Sequence, residues 1–288
     1  MSINQIYETH KKAIVVASFG TAVTASLETS ILPLEKRIQQ AFPEYDVVRV
    51  FTSVMVRKRL AAEGIQVKSL EEALLSLAET GYEEVIVQSA HLTPGEEYEK
   101  KILAVAEAFQ QKFVTLRISR PVLTLEGDSG SCPDDFTIFA KSIQQHLPTC
   151  RPEQEIVFMG HGSPHRHNPA YERLQKVFVR ENLPVTIGVI EQTDWPNIDD
   201  VCRILKEKGS REIFLRPLLL TAGDHVRKDM AGDDRGSWKS VLEREGYQVH
   251  TYLHGLGENS DFLEIFVQHI RDAVDGKYTA EIDRLYRK

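Results

Sequence analysis

Three histidines lie within seven positions in the segment 158–171, FMGHGSPHRHNPAY. His161 comes directly after a short apolar run, Glu191 comes directly after a later one, and His225 lies just after the segment EIFLRPLLLTAG. Two imidazoles and a carboxylate suit a divalent first-row metal such as Co²⁺, Fe²⁺, Ni²⁺ or Zn²⁺. Spacing alone leaves two interpretations open: a metal site formed by these three side chains, and a polar turn that happens to be rich in histidine.

Other chemistries fit this segment less well. A serine nucleophile elbow needs the pattern Gly-x-Ser-x-Gly, whereas Pro164 follows Ser163 and removes a backbone N–H that an oxyanion hole would use. The turns SFGTAV and GHGSPH do not complete the Gly-x-Gly-x-x-Gly pattern of a dinucleotide site either. His165 and His167 are expected to be exposed or to support the metal ligands. A two-lobed binding protein without chemistry also stays open.

The apolar runs that carry these residues alternate with segments of helical period, which is typical of α/β proteins with parallel sheets. Ser69 and Glu72 form a capping-box pattern, Asn168-Pro169 indicates a helix start, and residues 260–274 carry a one-sided apolar stripe. Eight strands are predicted, at residues 13–19, 47–52, 84–89, 113–119, 155–160, 185–190, 212–220 and 247–253.

The two halves of the chain resemble each other. VASFGTA (16–22) corresponds to FMGHGSP (158–164), and HLTPGEEYEK (91–100) aligns with LLTAGDHVRK (219–228). Two matches in the same order favour a duplication over chance similarity. The predicted fold is therefore two similar doubly wound lobes, each with a mainly parallel four-stranded sheet flanked by helices. The predicted units are an N-terminal lobe at 1–130, a C-terminal lobe with the metal ligands at 131–258, and a helix and tail that pack back on the body at 259–288.

Ligands of doubly wound sheets bind beyond the carboxyl ends of the strands, because the loops gather there. Two such lobes facing each other would form a cleft between them. His161, Glu191 and His225 all follow predicted strands, so they are expected at the edge of the second lobe that faces this cleft. The sequence thus predicts a small-molecule site between the lobes.

Composition excludes several other functions. The formal net charge of −7 and the lack of a basic stripe argue against a nucleic-acid partner. No apolar run approaches the ~18 residues needed to cross a bilayer, and the N-terminus lacks the apolar core of a signal peptide. We therefore expect a soluble cytoplasmic protein. Its three cysteines are widely spaced, which favours neither a disulfide framework nor a cysteine-based zinc site.

Several of these segments together resemble a known family, the anaerobic sirohydrochlorin cobaltochelatases of the CbiK type. The resemblance lies in HLTPGEEYEK, GHGSPH, Glu191 and the block PLLLTAGDHVRKDMAGDDRGSWKSVLE at 217–243, and it extends from about residue 13 to the last helix. It implies the chelatase fold shared with ferrochelatases, with a tetrapyrrole between two α/β lobes. It also implies insertion of Co²⁺ into sirohydrochlorin for cobalamin synthesis, with neither ATP nor an organic cofactor.

The resemblance also assigns roles to individual residues. His161 and His225 match the family's paired histidines, one of which would take up pyrrole protons, and Glu191 matches its acidic metal ligand. The chain departs from the family after Glu191, where EQTDWP replaces a short glycine-rich turn, so Trp195 is expected to reshape the cleft wall. The residues expected to bind the tetrapyrrole are Phe19, Gly20, Thr21, His91, Glu96 and Glu97.

Other functions with the same fold stay open at this point. A site of two histidines and a glutamate discriminates weakly between metals, so Fe²⁺ or Ni²⁺ insertion is an alternative to Co²⁺ insertion. A non-catalytic carrier of a tetrapyrrole or a metal is the alternative from a different class. The exposed strand edges expected of such lobes are also compatible with a homo-oligomer.

Overall fold

The computed structural model describes residues 10–127 and 132–286. In these residues the strands form two four-stranded sheets, of order β2-β1-β3-β4 and β6-β5-β7-β8, and each pairing is parallel. The predicted α/β class is confirmed, and every predicted strand is present with ends shifted by a few residues. The strands are β1 (Lys11–Ser18), β2 (Asp46–Phe51), β3 (Tyr82–Ser89), β4 (Thr115–Ser119), β5 (Gln154–Gly160), β6 (Val185–Val189), β7 (Glu212–Pro217) and β8 (Gln248–Thr251).

Helices cover the two faces of each sheet. Those of the first half are Thr24–Ser26, Leu27–Ile31, Leu32–Ala41, Val54–Ala62, Leu70–Glu79, Glu96–Tyr98, Glu99–Leu103, Ala104–Ala108 and Gln110–Lys112. Those of the second half are Asp135–Gln144, Ala170–Arg180, Ile198–Lys208, Val226–Met230, Trp238–Arg244, Leu256–Glu258, Ser260–Val274 and Thr279–Tyr286. Among the described residues no helix is long and apolar enough to cross a membrane.

The structure repeats in the way that the sequence does. The two sheets have the same strand order, and in each lobe a π-helical segment follows the third strand. These segments, Glu99–Leu103 and Val226–Met230, belong to the aligned stretches HLTPGEEYEK and LLTAGDHVRK. Because π-helical turns are rare and often found at functional sites, their equivalent placement supports the duplication.

One apolar core joins the two lobes. It contains Ile14 and Val16 of β1 together with Ile156 and Phe158 of β5, all at most 2% exposed. The last long helix, Ser260–Val274, packs on β3 and β4 of the first sheet although it follows the second sheet in sequence. The predicted boundary between the lobes, at residues 130 and 131, lies outside the described residues.

A buried charged network also ties this helix to the rest of the fold. Arg120, which is 2% exposed, donates two hydrogen bonds to Asp135 at 2.9 and 3.1 Å and one to Asp272 at 2.9 Å. His269 Nε2 lies 3.4 Å from Asp135 Oδ1. Burial alone would raise the pKa of Asp135, but the contacts with His269 and Arg120 outweigh burial and hold this pKa below its usual value.

Candidate active site

The loops that carry the predicted metal ligands are neighbours because of the strand order. β5 lies between β6 and β7, and all three strands are parallel, so their carboxyl ends meet at one edge of the sheet. His161 follows β5, Glu191 follows β6, and His225 follows β7 after a seven-residue loop. The Glu191 backbone N–H donates to the His161 carbonyl at 3.1 Å, which holds the first two loops together.

The side chains of these three residues also lie together. The His161 and His225 rings are in edge-to-face contact with centroids 5.0 Å apart, and Glu191 Oε1 is 3.8 Å from His161 Nδ1. All three side chains are 30–44% exposed, so solvent reaches them. The described residues contain no group of three or more His, Cys, Asp or Glu side chains already arranged around a metal position. Their use as a ligand set therefore stays a prediction.

Sequence reasoning missed the partner of His225. Asp229 Oδ2 is 2.6 Å from His225 Nδ1, one turn further along the π-helical segment. A carboxylate that binds one ring nitrogen fixes the orientation of the imidazole and leaves the other nitrogen to act on a ligand. The spacing of four residues between the histidine and the aspartate was a signal for this contact.

The three histidines of the histidine-rich turn have different surroundings. His165 lies on the surface, with Nε2 3.8 Å from Glu96 Oε2. His167 Nδ1 is 2.7 Å from Asp194 Oδ1, and Asp194 also accepts hydrogen bonds from the backbone N–H groups of Ser163 and Trp195, each at 2.8 Å. The 3% exposed Asp194 therefore fixes the turn that presents His161. Trp195, in the segment EQTDWP, is 45% exposed.

In the first lobe, the turn after β1 combines an exposed aromatic ring with a glycine at positive φ. Phe19 is 42% exposed, whereas Thr21 is 4% exposed and its Oγ1 accepts a hydrogen bond from the Val23 N–H at 3.1 Å. Gly20 lies between them with φ +94°, and a Cβ atom there would be 2.5 Å from Cγ of the buried Phe51. Only glycine fits this position, because a side chain would meet both a positive φ and a packed ring.

Gly20→Ala is expected to lower the free energy of unfolding by about 2–5 kcal/mol, from the positive φ together with the collision with Phe51. Urea denaturation measures this loss. Gly64→Ala is the matched control, because Gly64 has φ +82° but no atom within 4 Å of the added Cβ. The control should lose only about 1–2 kcal/mol. Equal losses for both variants would show that the contact with Phe51 does not constrain the turn.

His91 occupies the turn after β3. Its Nδ1 is 3.2 Å from Ser89 Oγ, and its Nε2 is buried without a hydrogen-bond partner in the described part of the chain. Burial lowers the pKa of His91 to about 4, because the imidazolium form would lose its hydration. The ring is therefore neutral at physiological pH.

Glu96 and Glu97 begin the helical stretch after this turn and differ in their contacts. The Thr52 hydroxyl donates to Glu97 Oε2 at 3.1 Å, so Glu97 is tied to the turn after β2. Glu96 pairs with Lys100, and this hydrogen bond holds the pKa of Glu96 below its usual value. Glu96 also lies near His165 of the second lobe. The segments HLTPGEEYEK and LLTAGDHVRK, which align in sequence, therefore have different surroundings in the structure.

Polar contacts cross between the lobes close to these turns. Asn168 Nδ2 donates to Thr93 Oγ1 and to the Pro94 carbonyl, both at 3.0 Å. Arg59 of the first lobe pairs with Asp224 at 2.7 Å, next to His225 in sequence. These contacts place the turn after β3 and the helix Val54–Ala62 beside the loops that carry His161 and His225.

Known proteins resemble the chain along nearly its whole length. A "Sirohydrochlorin cobaltochelatase" of Salmonella typhimurium is 34% identical over 92% of this chain and 97% of its own. A "Sirohydrochlorin cobaltochelatase CbiKC" of Nitratidesulfovibrio vulgaris is 34% identical over 92% of this chain and 91% of its own. The solved structure of SirB from Bacillus subtilis with Fe³⁺ has the same fold, with a TM-score of 0.58, 14% identity, and coverage of 92% of this chain and 97% of that one.

A family match covers the same part of the sequence. The cobalt chelatase (CbiK) family matches residues 12–275, which include both sheets, the three candidate metal ligands and the helix Ser260–Val274. The SirB structure in complex with cobalt, from Bacillus subtilis subspecies spizizenii, also shares the fold at a TM-score of 0.54. The expected chelatase fold is therefore confirmed, and the chain belongs to the CbiK cobalt chelatase family.

Proposed function

We propose that this chelatase inserts Co²⁺ into sirohydrochlorin, as a step of anaerobic cobalamin synthesis in the cytoplasm. The support is the family match together with the two relatives of that activity, each 34% identical over 92% of the chain. Co²⁺ and the tetrapyrrole are then both substrates, and neither ATP nor an organic cofactor takes part. The two lobes bind the macrocycle in the cleft between them.

His161, Glu191 and His225 bind the incoming Co²⁺ in this proposal. The observation that carries it is the contact of the two imidazole rings, 5.0 Å apart, with the Glu191 carboxylate 3.8 Å from His161. Metal donors lie about 2.0–2.2 Å from a first-row ion, so modest side-chain rotations would bring these groups to one metal position. The Glu191 carboxylate offsets part of the charge of the metal.

Insertion requires proton transfer as well as metal binding. Two pyrrole N–H protons leave the macrocycle as one Co²⁺ enters, so the charge balances. A neutral imidazole accepts protons near physiological pH, since free imidazole titrates at about 6.5. One of the two histidines accepts the pyrrole protons one at a time and passes each to solvent, because an imidazole holds only one extra proton and both side chains are at least 40% exposed.

The turns of the first lobe bind the tetrapyrrole in this proposal. Phe19, which is 42% exposed, offers an aromatic face to the macrocycle, and its neighbours offer backbone N–H groups. The sirohydrochlorin carboxylates need positive charge, yet Arg166 already pairs with Glu99 at 2.7 Å and Arg59 pairs with Asp224. Substrate must therefore compete for these cations. The proposed tetrapyrrole-binding residues are Phe19, Gly20, Thr21, His91, Glu96 and Glu97.

The direct test is anaerobic incubation of the purified protein with sirohydrochlorin and Co²⁺, with the Soret shift measured against a control without protein. We expect an acceleration that saturates with sirohydrochlorin. Parallel reactions with Fe²⁺ and Ni²⁺ test the alternative metals. Equal rates with and without protein would reject catalysis and leave the carrier interpretation, which a stoichiometric tetrapyrrole complex would then support.

Asp229→Asn is expected to weaken Co²⁺ binding by about tenfold, because the variant keeps the shape of the side chain but loses the charge that orients His225. Co²⁺ binding is measured by absorption titration, and the insertion rate should fall in parallel. Asp233→Asn is the control, since Asp233 lies in the following loop and pairs with Lys239 at 3.6 Å. An unchanged Co²⁺ affinity of Asp229→Asn would contradict the positioning role.

A further inference from the structure

A cavity of about 390 Å³ lies on the second sheet and is lined by none of the proposed metal ligands. Its walls are β7, β8 and the turn that follows the helix Asp135–Gln144. Small-molecule sites have volumes of about 300–1,000 Å³, so the space is sufficient for a ligand of modest size. Its lining side chains include His146, Leu147, Pro148, Phe214, Arg216 and Tyr252.

The cavity lies at an edge of the second sheet. β8 is the last strand of its sheet, and His250 on it pairs in register with Phe214 on β7. Side chains alternate between the faces of a sheet, so Phe214 and Arg216 point to the same side, as do His250 and Tyr252.

Arg216 brings a positive charge into this cavity without a carboxylate partner. Its Nη1 donates to the His146 carbonyl at 2.9 Å, and its guanidinium carbon lies 3.9 Å from the centre of the Tyr252 ring. Within residues 10–127 and 132–286 it forms no ion pair with a carboxylate. Burial lowers the pKa of Arg216 below its usual value, as expected for a charge that is poorly compensated.

The acidic side chains nearby are already engaged by other groups. Glu212 binds Arg151 at 2.9 Å and His250 at 2.8 Å. Glu258 lies 2.7 Å from His254 Nδ1. Because these carboxylates have their own partners, the Arg216 guanidinium is the group of the cavity that an external anion would neutralise.

We propose that the cavity binds a small aromatic monocarboxylate. The carboxylate pairs with the planar guanidinium of Arg216, which is shaped for two parallel hydrogen bonds to one carboxylate. The aromatic ring of this ligand packs against Phe214, Leu147 and Pro148, which form an apolar wall. A single cation matches a single negative charge, whereas a phosphate dianion would be left half neutralised. The site is separate from the proposed chelatase centre.

The probe for this proposal is 2-naphthoate, titrated into the full chain by isothermal calorimetry. We expect saturable binding that Arg216→Gln weakens by at least about tenfold, because a charge-assisted bidentate contact is lost. Arg203→Gln is the control and should leave the affinity unchanged, since Arg203 is an exposed helical residue paired with Asp200 at 3.0 Å. The neutral 2-naphthylmethanol should bind the unaltered chain at least about tenfold more weakly than 2-naphthoate.

The insertion of Co²⁺ should proceed at the normal rate in Arg216→Gln, which separates this site from the chelatase centre. If Arg216→Gln does not fold, Arg216→Lys takes its place and should also weaken binding, because lysine lacks the planar fork. The absence of saturable 2-naphthoate binding would overturn the proposal. Equal affinity in the Arg216 variant, tighter binding of inorganic phosphate, or loss of 2-naphthoate binding in His225→Ala would overturn it too.

Discussion

Replacement of His225 by alanine is expected to lower the rate of Co²⁺ insertion by at least about 100-fold. His225 contributes one of the two imidazoles that are in contact, and Asp229 holds its ring in place at 2.6 Å. The alanine variant loses a metal donor and, if His225 is the proton acceptor, the base as well. The initial rate of the Soret shift under anaerobic conditions measures the effect, together with the Co²⁺ affinity of the protein without tetrapyrrole.

His10→Ala is the matched control, because His10 is an exposed histidine that pairs with Glu83 on β3. Its insertion rate should equal that of the unaltered chain. A normal rate in His225→Ala would refute the assigned role of this residue. A normal Co²⁺ affinity combined with slow insertion would instead assign His225 to proton transfer and leave His161 and Glu191 as the metal ligands.

Arg120→Ala is expected to lower the free energy of unfolding by about 3–5 kcal/mol. The variant leaves the carboxylates of Asp135 and Asp272, which are 0% and 3% exposed, without their cation. Asp135 keeps a hydrogen bond from the Leu125 N–H and Asp272 keeps one from the Gln268 amide, both at 2.9 Å. These bonds only partly compensate two buried carboxylates for their lost hydration, so the folded state is penalised. Chemical denaturation in urea measures the change through the transition midpoint and slope.

Arg37→Ala is the control for this experiment. Arg37 pairs with Glu264 on the helix Ser260–Val274, as part of an ion pair whose side chains are 32% and 48% exposed. Water screens such a pair, so its loss should cost at most about 1 kcal/mol. Similar losses for Arg37→Ala and Arg120→Ala would contradict the view that the buried network holds the last long helix on the first lobe.

Local patterns in the sequence predicted the secondary structure well. The capping box of Ser69 and Glu72 is present, and the helix predicted at 260–274 is Ser260–Val274. These features depend on residues within one or two turns of each other, which a sequence displays directly. The strand ends were less accurate, because the last residues of a strand are decided by pairing with a neighbouring strand.

Long-range contacts were harder to predict. The sequence indicated that His161, Glu191 and His225 follow strands, but it did not identify Asp194 as the residue that fixes the histidine-rich turn. Asp194 contacts Ser163 from 31 positions away, so no local period reveals the pairing. The alignment of HLTPGEEYEK with LLTAGDHVRK gave no hint that Glu97 is bound by Thr52.

The sequence by itself determined the α/β class, the internal repeat and the family, because hydrophobic period and motif identity are properties of neighbouring residues. Only the tertiary structure decided that Arg120 joins Asp135 and Asp272, and that His161 and His225 are in contact while His165 and His167 have other partners. Such contacts depend on the order and packing of the strands, which bring together side chains far apart in the chain.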